Sequence, residues 1–115
     1  MARHPFEAKL RHASSKVVID LLGEINAFAA EEMDDIYIQA EAFDPPEILL
    51  NFSAVDYINS TGIALIVNML GRARKSNRRL SLCGLSDHYV EIFKITRLTD
   101  YMDIYPDEQA ALAAS

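Results

Sequence analysis

The segment from residue 48 to residue 67 constrains the fold of this chain more than any other part of it. It begins with a short, nearly continuous apolar run, 48–52, which is typical of a central strand covered on both faces. It ends in a stretch rich in Ile, Leu, Val and Met that predicts a helix from about Thr61 to Ser76. The corner between them carries two adjacent hydroxyls, and a helix N-terminus adds open N–H groups and a positive dipole end. The sequence therefore predicts a rigid strand–corner–helix unit that could hold a negative oxygen or a phosphate.

Shorter patterns on either side predict the other elements. Alternating residues over 6–11 and an apolar run over 17–22 predict two strands joined by a turn at Ser14-Ser15, with Gly23 closing the second. An apolar stripe at helical spacing predicts a helix over 27–43 that Pro45-Pro46 ends. The other predicted segments are helices over 86–95 and 106–114, and strands over 79–84 and 101–105.

The resulting order, β-β-α-β-α-β-α-β-α, predicts a single α/β domain spanning residues 1–115. Strands separated by single helices imply right-handed crossovers and a mainly parallel sheet, and the leading hairpin makes that sheet mixed. We expect four or five strands and about four helices. The predicted core comprises Val18, Leu21, Met33, Ile48, Leu50, Leu65, Ile66, Leu82 and Phe93.

Composition excludes several classes of function. A net charge of −6 disfavours nucleic acid and anionic membranes as main partners. No apolar run approaches the ~18 residues that span a bilayer, and the first residues contain no signal-peptide core. Cys83 is the only cysteine, and a protein without disulfides fits a reducing cytoplasm. We therefore expect a cytoplasmic protein that does not insert into membranes.

The residues that could support catalysis are few and scattered. His4, His12 and His88 share no spacing with other ligands that would indicate a metal site, and no glycine-rich loop is present to bind a phosphate cofactor. Cys83 lies within a predicted strand and is interpreted as a small core residue. Ser60 lacks a His or Lys base that the sequence can place beside it. We expect no enzymatic activity, no metal and no cofactor.

Two polar features leave alternatives open. A basic group at the end of the second predicted helix is interpreted as a complement to the helix dipole, or as a docking patch for an acidic partner. Ser60 and Thr61 could simply cap a helix, because Ser, Thr and Asn are the preferred N-terminal residues. They could also be a phosphorylation site or a nucleophile. The members of the basic group are Arg72, Arg74, Lys75, Arg78 and Arg79.

Five segments, in order along nearly the whole chain, resemble the STAS domain and, within it, the bacterial anti-sigma-factor antagonists. Residues 59–63, N-S-T-G-I, resemble the most specific family motif, D-S-[ST]-G-[LI]. Residues 21–26, L-L-G-E-I-N, resemble the family segment L-x-G-E-L-D. The other three segments, 48–58, 80–85 and 90–98, resemble the central strand with its following loop, the next strand and the next helix.

The resemblance implies a function by partner exchange. The phosphate acceptor would be Ser60, with Thr61 as second choice. The implied partners are an anti-sigma factor that is also a serine kinase of the histidine-kinase-like ATPase fold, and a serine phosphatase. The protein itself would be a monomer or weak dimer. The implied partner-binding residues are Asn26, Tyr57, Ile58, Asn59, Ser60, Thr61, Gly62 and Ile63.

Asn26 and Asn59 depart from the family pattern, which usually has Asp at both positions. Asparagine retains the shape and the capping ability of aspartate but lacks its charge. An alternative function is therefore a non-phosphorylated STAS scaffold or adaptor, a subunit of a signalling assembly or of a transporter complex.

Overall fold

The computed structural model describes residues 5–114, and it has the predicted order of strands and helices. His4, one of the three scattered histidines, lies outside the described residues. The strands are β1 (Glu7–Ala13), β2 (Lys16–Ile25), β3 (Glu47–Ile58), β4 (Arg79–Cys83) and β5 (Asp103–Tyr105). The helices are α1 (Ala30–Glu41), α2 (Ser60–Lys75), α3 (Asp87–Ile95) and α4 (Glu108–Ala113), with 3-10 turns at Ala27–Ala29 and Leu98–Asp100.

The five strands form one mixed sheet in the order β1-β2-β3-β4-β5. β1 is antiparallel to β2, whereas β2, β3, β4 and β5 are parallel to their neighbours. Right-handed crossovers between strands that are adjacent in both sequence and space place α1, α2 and α3 on the same face. The main core lies between these helices and that face.

Eight of the nine predicted core residues are buried. Leu65 is the exception. It is only partly buried, because it lies on the flank of α2 that faces the open groove toward α1 rather than the sheet. Among the described residues, no helix is long and apolar enough to cross a membrane.

Three predicted boundaries are wrong, and the two strand boundaries among them reflect long-range pairing. β2 continues through Gly23 (φ 84°) to Ile25, with a register irregularity between Gly23 and Glu24. β3 extends to Ile58 rather than ending near Phe52, because β2 continues to pair with it. The predicted helix over 27–43 begins with the 3-10 turn and ends as α1 at Glu41.

The other face of the sheet, the back face, is more polar and is covered by α4. Val18, Leu49 and Cys83 form a small apolar cluster with Ala111 of α4. Burial raises the pKa of the Cys83 thiol to about 11, so the thiol stays protonated at neutral pH. This supports the interpretation of Cys83 as a core residue.

Ion pairs attach α4 to this back face. Lys16 donates hydrogen bonds to the carbonyls of Ala111 (2.6 Å) and Ala114 (3.1 Å) and lies 3.4 Å from a Glu47 oxygen. Arg11 pairs with Asp20 of β2 (2.6 Å) and with Glu108 of α4. Both ends of the short helix are therefore held by cations from the first two strands.

Candidate functional site

The corner between β3 and α2 is built by one asparagine. Asn59 is extended (φ −90°, ψ −177°), and its side-chain oxygen accepts a hydrogen bond from the Gly62 N–H at 2.8 Å. Its carbonyl accepts the first helical bond, from the Ile63 N–H at 3.0 Å. This is the geometry of an N-cap, which satisfies one of the N–H groups that a helix start leaves unpaired.

The carbonyl oxygen of Ile25, the last residue of β2, fixes the position of the corner. The carbonyl of Ile25 accepts a hydrogen bond from the Asn59 N–H at 3.2 Å. The same oxygen would lie 2.2 Å from a Cβ atom at Gly62. Gly62 is therefore required by a close backbone approach, and not by an unusual backbone angle.

Ser60 and Thr61 are the first two residues of α2, and both are exposed. Of the four N–H groups from 59 to 62 that have no acceptor within the helix, those of Asn59 and Gly62 are paired as described. Among the described residues, the N–H groups of Ser60 and Thr61 have no acceptor, and they are left for solvent or a ligand. Within residues 5–114, no residue hydrogen-bonds to either hydroxyl. The corner thus offers two open N–H groups and the positive end of the helix dipole, which favour a negatively charged group.

Asn26 lies next to this corner because the residue before it, Ile25, pairs with Ile58. Its side-chain oxygen caps the 3-10 turn by accepting from the Phe28 N–H at 2.9 Å. Its side-chain nitrogen donates to a Glu24 carboxylate oxygen at 2.7 Å. An aspartate at position 26 could keep the first bond but not the second.

The predicted contact residues differ in their exposure. Tyr57 is 36% exposed, and Ile63 is partly buried against the core. The expectation that Ile58 supplies contact area is corrected: its side chain is 3% exposed because it packs into the core beneath the corner.

Sequence reasoning missed Phe28, which is 95% exposed. It lies in the 3-10 turn that Asn26 caps, and this turn packs against α2. The sequence did contain a signal for this exposure. Phe28 directly precedes Ala29, where the buried apolar stripe of this segment begins, so it does not belong to the stripe that faces the core.

The remaining reactive side chains lie elsewhere. His12 stacks edge-on against Phe43 at 4.6 Å between ring centroids, and His88 is exposed on α3 beside the Tyr89 ring. In the part of the chain that the structure describes, no group of three or more His, Cys, Asp or Glu side chains could hold a metal ion.

The profile of the STAS domain matches residues 7–111, and the chain belongs to this family. It is 28% identical over 82 residues to an anti-sigma-B factor antagonist of Staphylococcus aureus (strain NCTC 8325 / PS 47), covering 71% of this chain and 76% of that protein.

Solved structures of other proteins share the fold. The phosphorylated form of SpoIIAA, a Bacillus cell fate determinant, superposes with a TM-score of 0.72 at 22% identity, covering 95% of this chain and all of that one. A sulfate transporter family protein from Wolinella succinogenes gives a TM-score of 0.74 at 18% identity, covering 86% of this chain and 83% of that one. SpoIIAA is also an anti-sigma factor antagonist, so the fold is shared by an antagonist and by a sulfate transporter family protein.

Proposed function

We propose that this protein is an anti-sigma-factor antagonist that acts as a binding module and is switched by phosphorylation of Ser60. The observation that carries the proposal is the corner itself. The Ser60 hydroxyl is exposed and makes no hydrogen bond to any residue from 5 to 114, and it stands on a capped helix start with two open N–H groups. The relative named as an anti-sigma-B factor antagonist and the structure of SpoIIAA in a phosphorylated form support it.

The physical basis of the switch is electrostatic. A phosphoserine carries about −1.5 to −2 charges at neutral pH. At the N-terminus of α2, the helix dipole and the open N–H groups stabilise this charge, so the fold persists. In a packed interface the same charge must be desolvated, which weakens binding. Phosphorylation thereby changes partner affinity without refolding the protein.

The surface beside Ser60 suits a protein partner. Phe28 and Tyr57 offer exposed aromatic area, and such side chains often provide much of the binding energy of an interface. In this proposal the unphosphorylated surface binds an anti-sigma factor that is also a serine kinase of the histidine-kinase-like ATPase fold. A serine phosphatase restores that form. The module would act in the cytoplasm, as a monomer or weak dimer.

Phosphosite mapping tests the proposal. Each kinase of the histidine-kinase-like ATPase fold from the source genome is purified and incubated with the protein and ATP. We expect phosphate on Ser60, or failing that on Thr61. Ser60→Ala should bind the kinase without being released, and Ser60→Asp should bind it at least about tenfold more weakly. Ser76→Ala, at the other end of α2, is the matched control and should behave as wild type. Phosphate elsewhere, or none, contradicts the proposal.

The second candidate is a constitutive adaptor. The shared fold of the sulfate transporter family protein favours it, as does the asparagine at both positions 26 and 59. The Asn26 side-chain nitrogen donates a hydrogen bond to the Glu24 carboxylate. This bond requires the uncharged amide, because an aspartate at position 26 has no N–H to donate. Affinity purification separates the two functions. A stable complex with transporter subunits, unaffected by Ser60→Asp, supports the adaptor, and a kinase complex that Ser60→Asp disrupts supports the switch.

A further inference from the structure

The end of β3 has an unusual hydrogen-bond partner on α3. β3 pairs with β4 only as far as Asn51, opposite Cys83, and then continues for seven more residues to Ile58. Neighbouring residues of a strand direct their N–H groups to opposite edges. Because the Asn59 N–H reaches β2, the Ile58 N–H faces the other edge, where β4 has already ended.

The phenol oxygen of Tyr89 accepts that N–H. The Ile58 nitrogen lies 2.9 Å from the Tyr89 oxygen. An unpaired buried N–H costs free energy comparable to a lost hydrogen bond, so the contact is needed at this place. A cavity of about 70 Å³ lies between α3 and the end of β3. The hydroxyl therefore links α3 to the end of β3 at a place where the two are not closely packed.

Ile58 directly precedes the capping residue of α2. The corner is thus fixed from two sides: the Ile25 carbonyl holds the Asn59 N–H from β2, and Tyr89 holds the Ile58 N–H from α3. Ser60 follows two residues after Ile58. A displacement of Ile58 toward the open edge would tilt the start of α2 and move the Ser60 hydroxyl.

We propose that Tyr89 is a positioning residue for phosphorylation of Ser60. The inference rests on the proposed function. Tyr89 does not touch the acceptor; it holds the acceptor in the orientation that a kinase needs for in-line transfer. Misplacement of a reacting group lowers the rate of the transfer step more than it lowers docking. Phe28 lies on the 3-10 turn that Asn26 caps, so the docking contact that it offers is preserved when the Tyr89 hydroxyl is removed.

Tyr89→Phe removes only the hydroxyl and tests the inference. Amide exchange of Ile58, followed by NMR, should accelerate at least about tenfold, since its N–H loses its acceptor. In steady-state phosphorylation by the kinase found in the mapping experiment, kcat should fall about fivefold or more, while KM stays within about twofold.

Two controls separate positioning from general stability. Tyr101→Phe removes a phenol hydroxyl from an exposed residue outside α3, and should change neither measurement. Val18→Ala weakens the apolar cluster on the back face of the sheet, away from α3, because Val18 is fully buried. It should lower the melting temperature and leave kcat unchanged.

The results distinguish a positioning role of Tyr89 from a general effect on stability. An unchanged kcat in Tyr89→Phe, or an equal loss of kcat in Val18→Ala, overturns the positioning role while the switch at Ser60 stands. Wild-type protein that takes up no phosphate from any of the kinases overturns the proposed function, and the positioning role with it.

Discussion

At the scale of single residues, Gly62 and Gly71 occupy the same helix but very different surroundings. A Cβ at Gly62 would lie 2.2 Å from the Ile25 oxygen, whereas a Cβ at Gly71 would meet nothing within 4 Å. The first glycine is required by contact between α2 and β2. The second brings only the entropic cost of a glycine within a helix.

Alanine substitutions should therefore have opposite effects. Gly62→Ala should lower the free energy of unfolding by roughly 3 kcal/mol, because backbone atoms must move apart. Gly71→Ala should raise it by about 0.5–1 kcal/mol. Urea denaturation of both variants checks the pair. Equal effects of the two substitutions would show that the close approach at the corner does not constrain α2.

At the scale of elements, α4 is attached to the sheet mainly by charge. Its buried contact with the sheet comes from Ala111, and the Lys16 ammonium donates to the carbonyls at its C-terminal end. Lys16 is 6% exposed, and Glu47 beside it is 8% exposed. Removing one member of a buried ion pair leaves the other charge uncompensated.

Lys16→Met should detach α4 and lower the free energy of unfolding by about 3 kcal/mol. Cys83 contacts Ala111 of α4 in the back-face cluster. When α4 detaches, the thiol becomes exposed and its pKa should fall, because burial is what raises it. Thiol labelling at pH 8 should accelerate in this variant. Lys75→Met, on the exposed end of α2, should label as slowly as wild type. Slow labelling in Lys16→Met would mean that apolar contacts suffice to hold α4.

The sequence predicted the elements better than the contacts between them. Periodicity and the D-S-[ST]-G-[LI]-like motif located the strands, the helices and the Ser60 corner, because these depend on neighbouring residues. Gly23 was interpreted as the end of β2, although pairing with the extended β3 carries that strand on to Ile25. The link from Tyr89 to Ile58 joins residues 31 positions apart, and no local pattern indicates it.

At the scale of the whole molecule, one ion-pair network joins β1, β2, β3 and α4. Asp20 accepts from Arg11 and from Asn51, at 2.6 and 2.9 Å, and Arg11 also pairs with Glu108. The Arg11 guanidinium holds the pKa of Asp20 below its ordinary value of 3.8. A carboxylate with a lowered pKa in the folded state stabilises the protein above its unfolded pKa.

Acid should therefore destabilise the fold through Asp20. Its contribution is fully present above pH 3.8 and is lost as the pH falls through the lower, folded-state pKa. Asp20→Asn should lose less stability than wild type between pH 7 and pH 3, as measured by urea unfolding at both values. Asp35→Asn, an exposed change on α1, should keep the wild-type dependence. Parallel pH curves for Asp20→Asn and wild type would rule out this group as a source of acid sensitivity.

The contacts of the Ile25 carbonyl reduce the conformational entropy that this protein can lose when a partner binds. This carbonyl accepts from Asn59 and abuts Gly62, and it directly precedes the Asn26 turn that carries Phe28. The acceptor corner and the Phe28 turn are therefore both anchored at the end of β2. A partner that contacts both the corner and the turn binds a surface that is already ordered. This protein therefore loses little conformational entropy on binding, and more of the contact energy remains as affinity.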